Sequence, residues 1–362
     1  MDYLGISYGI KNRPALDSGF IPFAPWRSAY LSEAHRPVRI AVERQDRQTA
    51  VFDIRLRDAS YHAANLRFLE RTVKLLLWSV GGWRVRICGC DELTEALRHI
   101  YCRGGDRAFD ADFMETVFQR PFVLEAVSEA DFPVPRSGAR RIGGHLNGCR
   151  IGFDAGGSDR KVSAVIDGET VYSEEVVWHP KTQTDPAYHY AEIVSALRTA
   201  ASKLPRVDGI GVSSAGVFIG NAPMVASLFI KVPRSKWEQV KTIYDRAARE
   251  IGDVPIVVAN DGDVSALAGA MGLGVGNIMG IAMGTSEAVG YVDKDKNVLG
   301  WINELAFAPV DLCENAMQDE WSTDFGVGCK YFSQDAVIKL APAAGIALDE
   351  TLSPAEKLKV VQ

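Results

Sequence analysis

Arg150-Ile-Gly-Phe-Asp154-Ala-Gly-Gly-Ser158-Asp-Arg-Lys161 is the stretch on which the reading of this chain turns. Arg150–Asp154 and Lys161–Ile166 are apolar runs of strand length, and the small residues between them predict a tight hairpin. Glycines in such a turn let backbone N–H groups approach an anion closely, and Ser158 adds a hydroxyl donor. Asp154, at the end of the first strand, is placed to hold magnesium directly or through water. Taken alone, the segment reads equally well as a glycine-rich turn with a solvated aspartate.

Downstream the same grammar repeats. Thr170–Trp178 predicts a third strand and Tyr190–Leu204 an amphipathic helix. Val207–Ser213 predicts a strand running into Ser214-Ala-Gly216. Ser235-Lys-Trp-Glu238 has the form of a capping box, opening a helix with Trp237, Val240, Tyr244, Ala247 and Ile251 at core spacing. Val254–Ala259 is a continuous apolar strand that ends at Asn260-Asp261-Gly262 and a helix of small residues. Ile278–Met283 ends at Gly284-Thr285-Ser286, and the strand pair Ala288–Asp293 and Val298–Ile302 leads to Asn303-Glu304. Such alternation predicts an α/β fold with a mostly parallel sheet. Open sheets of this kind place ligands beyond the carboxyl ends of their strands, where Asn260 and Asp261 fall. A carboxylate there can take the proton of a hydroxyl attacking a γ-phosphate. The competing reading is a helix N-cap for Asn260 or Asp261, and a surface turn for Glu304.

Upstream, the Pro/Gly cluster Pro133–Gly148 marks a linker or a set of turns. Residues 1–140 read as a separate α/β module of unknown role. Its strands are Val38–Glu43, Thr49–Leu56 and Trp83–Cys88; its helices are Tyr61–Val80 and Asp91–Cys102, the latter capped by Asp91. No catalytic constellation appears in it. Residues 1–150 carry 22 Lys+Arg against 18 Asp+Glu, and the remainder carries 18 against 28. Pairing of the arginines with nearby acids, as in Glu43–Arg47 or Asp53–Arg57, explains the basic half without nucleic acid. Six cysteines are scattered without a disulfide framework. No stretch approaches the roughly 20 apolar residues of a membrane span, and Met1-Asp-Tyr-Leu has neither a basic nor an apolar region, so no secretory signal is expected. A cytoplasmic protein with no membrane partner is expected.

The motifs in order, Asp154-Ala-Gly-Gly-Ser158, Ala215-Gly216, Asn260-Asp261-Gly-Asp263, Gly284-Thr285-Ser286 and Asn303-Glu304-Leu-Ala-Phe307, resemble those of the ROK sugar kinases. The resemblance covers less than half of the chain firmly. It implies the two-lobed actin/hexokinase (ribonuclease H-like) fold, with residues 149–275 as the first lobe and 276–362 as a partial second lobe. It implies ATP and Mg²⁺ as reactants and a sugar as phosphate acceptor, with Asp261 as catalytic base and Asp154 at the metal. Gly156, Gly157, Ser158, Gly284, Thr285 and Ser286 would meet phosphate, and Asn260, Asn303 and Glu304 the acceptor.

Several features depart from the family pattern. Two residues separate Ser158 from Lys161, where the family lysine follows the hydroxyl directly. Ser286-Glu287 interrupts the second glycine loop and is expected to set an acid where phosphate would lie. Phe307 replaces the zinc-linked histidine, and Asp319–Gly326 replaces the cysteine-rich segment, so no structural zinc is expected. Only 78 residues follow Gly284, and the second lobe is expected to be cut short, with Val337, Ile338, Leu340 and Ile346 exposed and a homodimer or larger oligomer favoured. Ser353-Pro-Ala-Glu356 predicts a capped helix near the end. The alternatives to a kinase are a sugar-responsive ROK-type transcriptional regulator and a non-catalytic sugar- or nucleotide-binding protein.

Overall fold

The computed structural model describes residues 1–284 and 286–361. The chain divides into two compact units. One comprises Met1–Gly138, Ile281–Val289 and Trp301–Gln362; the other comprises Ala139–Gly280 and Gly290–Gly300.

The unit containing the N-terminus opens with the short hairpin β1 (Asp2–Tyr3) and β2 (Ile6–Ser7), followed by α1 (Phe23–Leu31). Next come β3 (Arg36–Glu43), β4 (Thr49–Leu56), α2 (His62–Ser79), β5 (Arg84–Cys88), α3 (Asp91–Ile100), α4 (Ala108–Phe118) and β6 (Val123–Ala126). The strands form one sheet in the order β4-β3-β5-β6, with β3 antiparallel to β4 and β5, and β6 parallel to β5. The helical period in α2 holds: Phe68, Leu69, Val73, Leu76 and Leu77 are buried. Asp91 does not cap α3; it is the first helical residue, after Cys90, which makes no side-chain capping bond.

The arginine-rich first segment is reconciled by acids, but not by the pairs that sequence proximity suggests. Glu43 binds Arg86 at 2.7 Å, Arg57 binds Glu33 at 2.7 Å, and Asp53 lies 3.3 Å from Arg39. Two of these pairs, Glu43–Arg86 and Asp53–Arg39, reach across neighbouring strands, where side chains on one face are close, and Glu33 reaches Arg57 from the turn between α1 and β3. Deeper in this unit Asp324 binds Arg71 (3.3 Å), Lys74 (3.1 Å) and Arg107 (2.5 Å), and Asp110 binds Lys74 at 2.8 Å. Removing any one partner would strand a buried charge, which costs far more than the pair contributes. Residues 301–362 thus share a core with the N-terminal module.

The other unit is built on β7 (Cys149–Ala155), β8 (Asp159–Ile166), β9 (Glu169–Val177), α5 (Pro186–Ala201) and β10 (Gly209–Ser214). A small hairpin, β11 (Val217–Ile219) and β12 (Ala222–Val225), leads to α6 (Trp237–Lys241), α7 (Ile243–Arg249), β13 (Ile256–Asn260) and α8 (Asp261–Leu273). The five-stranded sheet runs β13-β10-β7-β8-β9; β7, β8 and β9 form an antiparallel meander, and β10 and β13 run parallel to β7. This is the ribonuclease H-like lobe of the actin/hexokinase fold. Ile151, Phe153, Val162, Ile210, Val212 and Val258 point into a core with Ile193, Leu197 and Tyr244. Their alternation leaves Gly152, Asp154, Ser163, Gly211 and Ser213 on the other face. The capping box at Ser235 is not used: Arg234–Lys236 is a single 3₁₀ turn, and the helix restarts after Thr242. Asp185 caps α5 instead, accepting from the Ala187 N–H at 3.2 Å ahead of Pro186.

β14 (Ile278–Met283) and β15 (Glu287–Val292) pair with each other. The strand expected at Val298–Ile302 does not form; Val298 makes only single bridges, to Arg140 and Val292. Late helices are α9 (Gln334–Leu340) and α10 (Pro354–Val361). The box at Ser353 closes as predicted, with Glu356 accepting from the Ser353 N–H at 2.9 Å and the Ser353 hydroxyl accepting in return. Val337 is exposed, while Ile338, Leu340 and Ile346 are half-buried.

Candidate functional site

Three parallel strands, β7, β10 and β13, bring their carboxyl ends together in register. Asp154 aligns with Ser213, and Ser213 with Ala259; one step on, Ala155 aligns with Ser214, and Ser214 with Asn260. Each strand stops there for a local reason. Gly216, at φ 129°, turns the chain after β10, and a Cβ on it would meet the Val225 carbonyl oxygen at 2.4 Å. Beyond β13, Asn260 takes the N-cap of α8: its Oδ1 accepts from the Gly262 N–H at 2.7 Å, and its Nδ2 donates to the Gly216 carbonyl at 2.8 Å. Much of its polar capacity is therefore spent on holding the two turns together, which is the capping role that competes with substrate binding.

Asp261 follows on the first turn of α8, half-buried, its Oδ1 accepting from the Gly262 N–H at 3.0 Å. Burial pushes its carboxyl above the ordinary aspartate range, the hydrogen bond from Gly262 opposes the rise, and the charge of Asp154 adds to it. Asp261 thus lies within the field of Asp154. Beside Asp154 a cleft of about 560 Å³ opens on the sheet face, lined also by Lys161, Ser163, Ser213, Val264 and Leu267. Burial pushes the Tyr244 phenol up, and its hydroxyl donates to Ser214 at 3.0 Å beneath this edge.

The hairpin turn after Asp154 is shaped by a residue that sequence reading passed over. Trp178, 1% exposed, donates its indole N–H to the Gly156 carbonyl at 2.8 Å, and its backbone N–H to the Ser158 carbonyl at 3.1 Å. Two turn carbonyls are occupied in this way. Ser158 and Lys161 both bind Asp159, at 3.1 and 2.9 Å. The bonds from Lys161 and Ser158 hold the Asp159 carboxyl below its ordinary range. Trp178 was legible only as the end of a strand; nothing in its spacing announced the indole bond.

The remaining nominated residues lie in the other unit. Gly284 and Ser286 are exposed; the Gly284 N–H donates to the Ser286 carbonyl at 3.0 Å, and its own carbonyl accepts from Gln334 at 2.9 Å. Thr285 lies outside the described residues. Asn303 is buried, at φ 49°, with its N–H on the Ser79 carbonyl at 3.0 Å. Glu304 is half-buried, and its carbonyl accepts from Phe307 at 3.2 Å. Phe307 is a core residue, 4.4 Å from Trp78 and 5.4 Å from Trp321 between ring centroids.

Glu287 corrects an expectation. The acid expected in the path of a phosphate turns inward instead: the side chain is buried, and a Cβ on Gly328 would collide with its Oε2. Among the described residues that oxygen has no hydrogen-bond partner. Burial pushes the carboxyl up to about 7.

Among the described residues no cluster of three or more His, Cys, Asp and Glu side chains could hold a metal ion, and no helix is long and apolar enough to cross a membrane. No protein-family model matches the sequence, and no curated protein matches it. Solved structures do. The likeness is to ROK proteins. A ROK family transcriptional regulator, described as a homologue of the E. coli MLC protein, aligns at 16% identity and TM-score 0.45, over 55% of this chain and 50% of its own. The ROK hexokinase from Thermus thermophilus aligns at 15% and 0.40, over 56% and 66%. The inorganic polyphosphate/ATP-glucomannokinase from Arthrobacter sp. strain KM aligns at 20% and 0.39, over 59% and 77%. The matched part is half of the regulator and two thirds to three quarters of the two kinases. Superpositions this loose transfer no role to individual residues.

Proposed function

We propose that this chain is a ROK-like phosphotransferase that moves the γ-phosphoryl group of ATP to a hydroxyl of a sugar or sugar derivative, in the cytoplasm. The observation that carries the reading is the placement of Asp154 and Asp261 at the carboxyl ends of β7 and β13, the two parallel strands that flank β10, with the Asp154 charge acting on Asp261 and a glycine turn alongside. Phosphoryl transfer asks a protein mainly for positioning and for charge compensation, so a short inventory suffices.

Asp261 is the proton acceptor. Its raised pKa makes it a better base once ionised, and its attachment to the first turn of α8 fixes its direction. Asn260 holds that turn in place. The Gly156–Ser158 hairpin offers backbone donors to phosphate oxygens, and Gly284, Thr285 and Ser286 are the corresponding candidates in the other unit. Asn303 and Glu304 are the candidates for binding the acceptor. Two neighbouring carboxylates repel each other, and a divalent cation relieves that repulsion. Asp154, directly or through water, would hold Mg²⁺, which characteristically takes only one or two protein carboxylates together with substrate phosphates. Bound there, the ion would offset negative charge on the phosphates.

The regulator reading is distinguished by DNA binding, which would fall steeply with salt. The test is a sugar panel assayed for ATP- and Mg²⁺-dependent phosphorylation. A sugar phosphate formed by wild type and lost in Asp261→Asn supports the proposal; no turnover on any sugar, with tight sugar binding, would favour the non-catalytic reading.

A further inference from the structure

The lysine that follows the first glycine turn in sequence is occupied: Lys161 binds Asp159 at 2.9 Å. A different lysine lies on the turn. A Cβ placed on Gly157 would come within 2.8 Å of the Lys181 Nζ and 2.9 Å of its Cε, so the end of the Lys181 side chain lies over Gly157. Lys181 is exposed, and no carboxylate pairs with it among the described residues.

Its placement is built rather than incidental. Lys181 belongs to the 3₁₀ turn Pro180–Thr182, three residues after the Trp178 that binds both turn carbonyls. His189, fully buried on α5, holds the Pro180 carbonyl through Nε2 at 3.1 Å and the Leu228 carbonyl at 3.0 Å. The Tyr188 hydroxyl accepts from the His179 N–H at 3.1 Å. The strap from Trp178 to Lys181 is therefore fixed at both ends, against the hairpin on one side and α5 on the other. An ammonium on a short tether, over a glycine turn with two of its carbonyls engaged, suits an oxyanion and nothing apolar.

We propose that Lys181 is the cation that receives the phosphates of the nucleotide at the Gly156–Ser158 turn, taking the part that Lys161 is not free to play. The proposal rests on the kinase reading above and adds a binding residue to it. Lys181 arrives from the β9–α5 connection, so its contribution is invisible to any motif that looks only within the hairpin.

The test is calorimetric titration of Mg-ATP into wild type, Lys181→Gln, Lys181→Arg and Lys161→Gln at low and moderate salt, with melting temperatures taken in parallel. Lys181→Gln should weaken Mg-ATP about tenfold, as expected for one lost charge-assisted contact, and lessen the salt dependence of what remains. Lys181→Arg should keep most of the affinity, Lys161→Gln should lose less than Lys181→Gln, and melting temperatures should stay together. Equal affinity of wild type and Lys181→Gln would overturn this proposal alone. So would equal losses in the glutamine and arginine variants accompanied by a lowered melting temperature, which would mean a structural role. Failure of wild type to bind Mg-ATP at all would overturn both this proposal and the kinase reading.

Discussion

The two glycine segments, Asp154–Ser158 and Gly284–Ser286, look alike in sequence: each follows an apolar strand and ends in small and hydroxyl residues. Their surroundings differ. Around the first, two carbonyls are held by Trp178, a lysine lies over Gly157, and a carboxylate stands at the strand end. Around the second, the glycine carbonyl is taken by Gln334, and the next acidic side chain turns inward to Gly328. The lesson is that a glycine motif names a backbone that can bind an anion; the groups that make it do so come from elsewhere in the chain.

That contrast can be broken most forcefully at Asp154. Asp154→Asn should reduce kcat/KM by roughly a hundredfold or more, as loss of a charged group from a phosphoryl-transfer site does. Because the Asp154 charge helps to raise the pKa of Asp261, removing it lowers that pKa. The acidic limb of the pH–rate profile should therefore move to lower pH in the variant. A limb that stays in place would show that the two carboxylates do not sense each other.

The second segment should respond through stability instead. Glu287 is raised to about 7 in the folded chain, against about 4.3 for an unfolded glutamate. The folded state thus binds the proton more tightly, and stability falls as pH climbs from the ordinary carboxylate range through about 7, then levels off. Glu287→Gln should remove this dependence, raising the melting temperature by a few degrees at pH 8 and by little at pH 5 (a unit of pKa shift is worth about 1.4 kcal/mol, or about 2 °C in a large domain). Identical pH profiles for wild type and variant would place the carboxyl in contact with water.

Metal content separates the expectations further. Purified protein should carry no stoichiometric zinc by elemental analysis, and excess EDTA should abolish ATP-dependent turnover, to be restored by Mg²⁺. Full turnover in EDTA would remove Mg²⁺ from the account. The smallest effect is expected at Ser158, whose hydroxyl already binds Asp159: Ser158→Ala should change KM for ATP by no more than about tenfold, the worth of one hydrogen bond.

How much of this was legible depends on the range of the interaction. The strands of the meander, the β13–α8 junction and the capping box at Ser353 follow from local pattern, and the structure has them within a few residues of expectation. Trp178 and Lys181 act on the hairpin from about twenty residues away in sequence, a relation that no periodicity encodes. The arginine partners differ from expectation for a related reason: spacing along the chain says nothing of cross-strand neighbours such as Glu43 and Arg86 or Asp53 and Arg39. The ion network around Asp324 joins residues more than two hundred positions apart, so the sharing of a core by the first and last segments could not be read from either alone. The inward turn of Glu287 is invisible locally because its burial beside Gly328 depends on a segment about forty residues downstream.

The most direct test of the central claim is the rate of sugar-dependent ATP consumption by Asp261→Asn relative to wild type at saturating Mg-ATP, with circular dichroism to confirm that both fold. The account predicts that kcat falls by roughly 10²–10⁴-fold, the usual worth of a positioned general base, with an unchanged fold. A variant that turns over at the wild-type rate would contradict it and take Asp261 out of the chemistry.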